Sequence, residues 1–120
     1  MELQELNNLL EKRIEKMRAV LASKGSVYTA GDLDRLHNFK LAGRIGGTSP
    51  EMALKGMLIK HIASVFDMID MCDICDEDGD PGFDSARVDE KVGDVILYMV
   101  LLEALFTETL ETARKVSLDK

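Results

Sequence analysis

Residues 89–106 read DEKVGDVILYMVLLEALF. The stretch opens acidic, at Asp89, Glu90 and Asp94, and continues as the most hydrophobic segment of the chain. Its length and its Leu, Met and Ala content favour helix over strand. Val92, Ile96, Met99 and Phe106 mark one face and Leu97, Leu101 and Leu105 another, so the helix is apolar over much of its circumference. Such a helix is central in a bundle or shared between subunits. The pattern predicts a start near Asp89 and an end near Val116. Asp94 is the exception within it, because an ionised carboxylate is costly to bury without a partner.

Composition agrees with an all-α fold. The 120 residues are 46% hydrophobic but only 5% aromatic, with seven Met, no Trp and two Pro. Helix formers dominate the periodic stretches, and little β-branched material is clustered enough for a sheet. The length fits one domain spanning 1–120. A net charge of -7 excludes a non-specific nucleic-acid coat, which needs a basic face. It also excludes a polybasic membrane anchor. MELQELNNLLEKR at residues 1–13 is charged and amphipathic rather than a signal peptide. The apolar run from Val95 to Phe106 is too short to span a bilayer. A soluble, cytoplasmic protein is expected.

Upstream, Leu3, Leu6, Leu10, Ile14, Met17 and Leu21 alternate at spacings of three and four, predicting an amphipathic helix that Gly25 stops. A short helix carrying Leu36, Phe39 and Leu41 is expected next, capped by Asp32 or Asp34. Ser49 and Pro50 then announce a second long helix through Cys72. On that helix Lys60, Ser64 and Asp67 form a narrow polar stripe flanked by His61 and Asp70. The expectation is a buried helix with this seam facing a cleft or an ion-pair network. The architecture is therefore a helical bundle with three long helices plus a short helix, completed by oligomerisation.

The linker DICDEDGDPGFDSARVD at residues 73–89 has the look of a calcium loop. With Asp76, Asp78 and Asp80 at positions one, three and five, Pro81 falls where Gly is required and Arg87 where Glu is required. A solvated acidic loop is the better reading. Cys72 and Cys75 make a single CxxC without a second pair or closely spaced histidines, so two incidental thiols are expected.

Two groups of residues carry possible chemistry. Glu90 and Asp94 share a helical face, which Tyr98 continues one turn later, and two carboxylates at that spacing can hold a divalent cation. Asp89 and Glu90 equally suit the positive end of a helix dipole. The second group is Lys24, Tyr28, Asp32, Asp34, Arg35, His37, Asn38 and Lys40, in a stretch with little apolar material. Lys and Arg can meet phosphate, Tyr can stack on a base, and Asn or Asp can read base or sugar edges. The same residues also suit a polar surface loop plugged by Phe39. The glycine group GRIGG at residues 43–47 lacks the spacing and flanking strand of a phosphate-binding loop.

The order Lys24, Tyr28, Asp32, Asp34, Asn38-Phe39-Lys40, a Ser-Pro helix start and a closing helix with Glu90, Asp94 and Tyr98 resembles small phage and bacterial nucleotide-modification-associated domain proteins. DEKVGDVILYMV also resembles the closing ExxGD helix of MazG-like all-α NTP pyrophosphohydrolases. The likeness covers roughly residues 20 to 106. It implies a single MazG-like domain in which paired acidic motifs hold Mg²⁺ (or Mn²⁺) and water splits a nucleoside triphosphate into monophosphate and pyrophosphate. On this basis Glu90, Asp94 and Asp67 are the expected metal ligands. Lys24, Arg35, Lys40 and Lys60 are expected around phosphate, with Tyr28, Asn38 and Tyr98 around base or sugar and Asp34 and His61 among the nucleotide-binding residues. The chain departs from the family at the EExxE motif, which has no clean counterpart, and Lys91 stands three residues before Asp94.

Two functions follow as expectations. One is a Mg²⁺-dependent protein that binds an NTP or dNTP and hydrolyses it, with no direct nucleic-acid or membrane partner. The other is a non-catalytic helical interaction or assembly module of phage origin. Under either, the apolar faces of the first and last helices predict a homodimer or higher homo-oligomer.

Overall fold

The computed structural model describes residues 1–28, 34–74 and 79–119, with side chains for all of these except 23–28. Its elements are α1 (Leu3–Tyr28), α2 (His37–Gly46), α3 (Pro50–Asp73) and α4 (Ser85–Leu118). The fold is all-α, with three long helices and a short one. The chain divides into two compact units, Met1–Asn38 and Phe39–Lys120.

In the first unit, α1 is held at its start by the Glu5 carboxylate, which accepts from the backbone N–H of Glu2 at 3.2 Å. Gln4 donates to Asn8 one turn on. The helix does not stop at Gly25 as expected but continues to Tyr28. An interior glycine costs a helix only about 1 kcal/mol relative to alanine, which a long helix absorbs. Leu3, Leu6 and Leu10, at the head of the apolar stripe, remain exposed. Asp34 makes the turn before α2: its Oδ1 accepts from the N–H of Leu36 at 2.9 Å and its carbonyl from the N–H of His37. The alternative cap Asp32 lies outside the described residues.

The second unit is built on α3 and α4. The turn that delivers α3 explains GRIGG. Thr48 N–H donates to the Gly43 carbonyl at 2.8 Å and Gly47 N–H to the Arg44 carbonyl at 3.3 Å. With Gly47 at φ +69°, this is a Schellman ending for α2. Gly43 is itself buried, packed so closely that a methyl group there would lie 2.9 Å from the backbone of Thr48 and Ser49. Ser49 then caps α3, its hydroxyl accepting from Met52 N–H at 3.2 Å, with Pro50 in the first turn.

Helix α4 starts earlier than the acidic cluster indicated. Asp84 is the cap, accepting from Arg87 N–H at 2.9 Å, and the helix runs from Ser85 to Leu118 rather than from Asp89 to Val116. Asp89 and Glu90 thus lie beyond the first turn, where the helix dipole has little hold on them. The described part of the linker is exposed at Gly79 and Asp80, and Asp80 folds back to accept from Gly82 N–H at 2.8 Å. Cys75, Asp76 and Asp78 lie outside the described residues, and Cys72 is an exposed free thiol.

Contacts between α3 and α4 run Glu51 to Thr109, Met57 to Tyr98 and His61 to Asp94, so the helices are antiparallel. Their shared core is small. Phe39, Leu54, Leu58, Met68 and Leu105 are buried, and only Leu54 and Leu105 completely so. Helix α3 is consequently not the buried helix that its composition predicts. Met52, Ile59, Phe66 and Ile69 are each more than half exposed.

Candidate functional site

Midway along the α3–α4 contact the apolar packing is interrupted by polar side chains. His61 is the residue of α3 turned toward α4 here, and its Nδ1 lies 3.5 Å from Oδ2 of Asp94. Both side chains are about one-third exposed, at 28% and 32%. That admits solvent or a ligand while leaving part of each group desolvated. At 3.5 Å this is an ion-pair contact rather than a hydrogen bond, and Nε2 is the ring's other polar atom.

Tyr98, one turn beyond Asp94, completes the group. Its ring lies 4.8 Å from that of His61, tilted by 33°. Phe39 of α2 meets the other side of Tyr98 edge-on, with centroids 6.1 Å apart. The phenol points at the Met57 sulfur, 3.9 Å away. Burial pushes the Tyr98 phenol above its ordinary pKa, and the Asp94 charge pushes in the same direction. Tyr98 is therefore a neutral donor throughout the physiological range.

The expected metal ligands do not converge into a cage. Asp94 faces His61. Glu90 is on the same face of α4 one turn earlier, exposed, with Lys91 Nζ 3.4 Å from its Oε1. Asp67 is exposed on α3. Among the described residues, no group of three or more His, Cys, Asp or Glu side chains stands close enough to share one ion. Mg²⁺ commonly takes only one or two carboxylates and fills its shell with water and substrate phosphates. Glu90 and Asp94 are hard oxygen donors at helical spacing, the ligand type that Mg²⁺ and Mn²⁺ take.

The remaining expected residues divide. Lys60 is exposed beside His61, its carbonyl accepting from the Ser64 hydroxyl at 3.2 Å. The polar stripe of Lys60 and Asp67 thus faces solvent, and it is the flanking His61 that turns toward α4. Lys40 meets Glu108 of α4 at 2.8 Å. Asp34 serves the turn before α2, and Arg35 and Asn38 are exposed in the first unit. The side chains of Lys24 and Tyr28 lie outside the described residues.

Sequence reasoning missed the polar contacts at the start of α3. Thr109 donates to Glu51, and this bond holds the Glu51 carboxyl below its ordinary pKa. Glu51, Thr109, Lys40, Glu108 and Leu105 line an open cleft of about 360 Å³. Glu51 and Thr109 are 58 residues apart, and nothing in either local sequence announces the pairing.

Comparison of the chain with protein-family models, curated proteins and solved structures finds no match.

Proposed function

We propose that this chain is a nucleotide-binding protein that takes a nucleoside triphosphate, as its Mg²⁺ or Mn²⁺ complex, at the middle of the α3–α4 contact and hydrolyses it to monophosphate and pyrophosphate. The observation that carries the reading is the grouping of Asp94, His61 and Tyr98 within one partly open patch midway along the α3–α4 contact. Asp94, with Glu90 one turn away, supplies carboxylate oxygens for a cation that phosphate oxygens complete. His61, oriented through Nδ1, offers Nε2 to a water or a phosphate oxygen. Tyr98, kept neutral, offers a hydrogen bond, and its ring can pack against a base. In the reaction, water bonds to the α-phosphorus and the bridging oxygen leaves with pyrophosphate, the water's proton passing to a base. The metal supplies charge neutralisation and water activation when bound.

The test is a panel of NTPs and dNTPs with Mg²⁺ or Mn²⁺, read by pyrophosphate release, phosphate release and thermal shift. A ligand at a hundredfold excess over its Kd stabilises by about 2.7 kcal/mol. Absence of both shift and turnover with every nucleotide overturns the proposal, and a shift without turnover leaves a binding protein that is not a hydrolase.

A second reading, a non-catalytic helical interaction module, is favoured by one specific observation. Both acidic residues already face a basic side chain of the chain itself, Glu90 with Lys91 and Asp94 with His61. The Asp94–His61 pair joins α4 to α3 and can serve only to fix the register of the two helices, while Glu90–Lys91 joins neighbours on one helix.

A further inference from the structure

Met57 stands one turn before His61 on α3, so the two share a helical face. Its sulfur lies 3.9 Å from the Tyr98 hydroxyl, which donates toward it. The residue is 38% exposed, open to small solutes, whereas Met68 further along the same helix is buried. The Tyr98 ring has little freedom to carry its hydroxyl elsewhere, with His61 and Phe39 on either side at 4.8 and 6.1 Å.

A thioether sulfur is a weak acceptor, so the phenol stays available to a better one. Oxidation by a peroxide changes this. One peroxide oxygen bonds to the sulfur as the O–O bond breaks, the sulfur gives up two electrons, and the other oxygen leaves as water. The side chain is converted from flexible and apolar to polar, with an oxygen acceptor on the sulfur. An O–H···O bond spans about 2.7–2.8 Å. With sulfur and phenol 3.9 Å apart, an oxygen carried on that sulfur comes within reach of the hydroxyl, and the rotatable bonds of methionine let it be presented.

We propose that Met57 is a reversible oxidation site whose sulfoxide captures the Tyr98 hydroxyl and so switches off the donor at the α3–α4 patch. A dithiol reductant reverses it, the sulfoxide oxygen leaving as water while the dithiol becomes a disulfide. The capture stands on the Met57–Tyr98 geometry alone, and its effect on nucleotide rests on the proposed function. With its hydroxyl committed, Tyr98 no longer donates to the nucleotide, and affinity falls about three- to tenfold, the worth of one hydrogen bond. Met52 and Met99 are more exposed, at 51% and 50%, and oxidise under the same conditions. What distinguishes Met57 is the response of Tyr98.

The test treats the full chain, carrying isotope-labelled tyrosine, with hydrogen peroxide. Peptide mass reads oxidation at Met57, and NMR follows the Tyr98 ring, assigned by its absence in Tyr98→Phe. One oxygen gained at Met57 is expected, with a Tyr98 shift that grows in step with it. Both should reverse on treatment with methionine sulfoxide reductase and a dithiol. Met57→Leu, a volume-conserving change, should stay folded and lose the Tyr98 response while Met52 and Met99 still oxidise. If oxidation unfolds the native chain, Met57→Gln decides: its amide oxygen stands in for the sulfoxide oxygen and should move the Tyr98 resonances without oxidant. An unreactive Met57, a Tyr98 ring that neither sulfoxide nor glutamine moves, or an equal response in Met57→Leu overturns the proposal. Nucleotide titration is a separate arm. Reduced chain that binds no nucleotide removes the proposed function but leaves the Tyr98 capture to the NMR result. Reduced chain that binds nucleotide with an affinity that Met57 oxidation leaves unchanged overturns the switch.

Discussion

His61 Nδ1 and Asp94 Oδ2 meet at 3.5 Å, 33 residues apart in sequence and on antiparallel helices. The pairing explains why a carboxylate is tolerated inside the run DVILYMVLLEALF: it faces an imidazole at a point where the helix contact is still partly open. Because the pair is partly solvated, it contributes little to stability, as exposed ion pairs generally do. Asp94→Asn should therefore keep its helical content and lose no more than about 1 kcal/mol in urea denaturation. A globally unfolded variant would mean that Asp94 is structural first.

Tyr98 gives the fold an alkaline limit. Its phenol titrates above its ordinary value of 10.0 in the folded chain. A raised folded-state pKa gives a contribution that is fully present below the unfolded pKa and is lost as pH climbs through the folded one. Stability should fall above about pH 10, and Tyr98→Phe should flatten that fall. The chain has two tyrosines, so phenolate absorbance should show a late-titrating component that the variant removes. A wild-type titration with no late component would contradict the burial of Tyr98.

Two glycines should respond to alanine with opposite signs. At Gly43 the new methyl meets the backbone of Thr48 and Ser49 at 2.9 Å, and backbone yields less readily than the end of a side chain. Overpacking of that kind costs about 1–3 kcal/mol. At Gly56, on the exposed side of α3, nothing lies within 4 Å of the added carbon. Helix propensity then dominates, and alanine should stabilise by about 0.5–1 kcal/mol. Urea midpoints of the two variants settle it, and a neutral Gly43→Ala would show that the turn before α3 is looser than described.

So small a core concentrates its stability in few residues. Leu54→Ala and Leu105→Ala should each cost about 2–5 kcal/mol, the range for a buried leucine. Ile45→Ala, at a side chain that is 79% exposed, should stay within about 0.5 kcal/mol. Equal losses at all three would place the core elsewhere.

The helices were legible because their signals are local. Ser49-Pro50 announces α3, and the spacing of Leu, Met and Ile gives each helix its stripes. Boundaries were less so: Asp89 and Glu90 mimic a helix start, while the working cap is Asp84, one more acid among many. At the site, Glu90, Asp94 and Tyr98 were visible as an i, i+4, i+8 series. The partner of Asp94 was not, because only packing decides that His61 rather than neighbouring Lys60 turns inward. The same holds for Phe39 against Tyr98 and Thr109 against Glu51. Two apolar stripes on one helix read as a buried helix, and only the shallow core of the second unit shows that one stripe is uncovered.

The proposed site is tested most directly by NMR, following the His61 imidazole and Tyr98 ring resonances as a nucleoside triphosphate is added with Mg²⁺. Saturable shifts at both residues, absent in Asp94→Asn, are expected. Nucleotide-induced shifts confined to other residues, or shifts that persist unchanged in Asp94→Asn, would contradict the site.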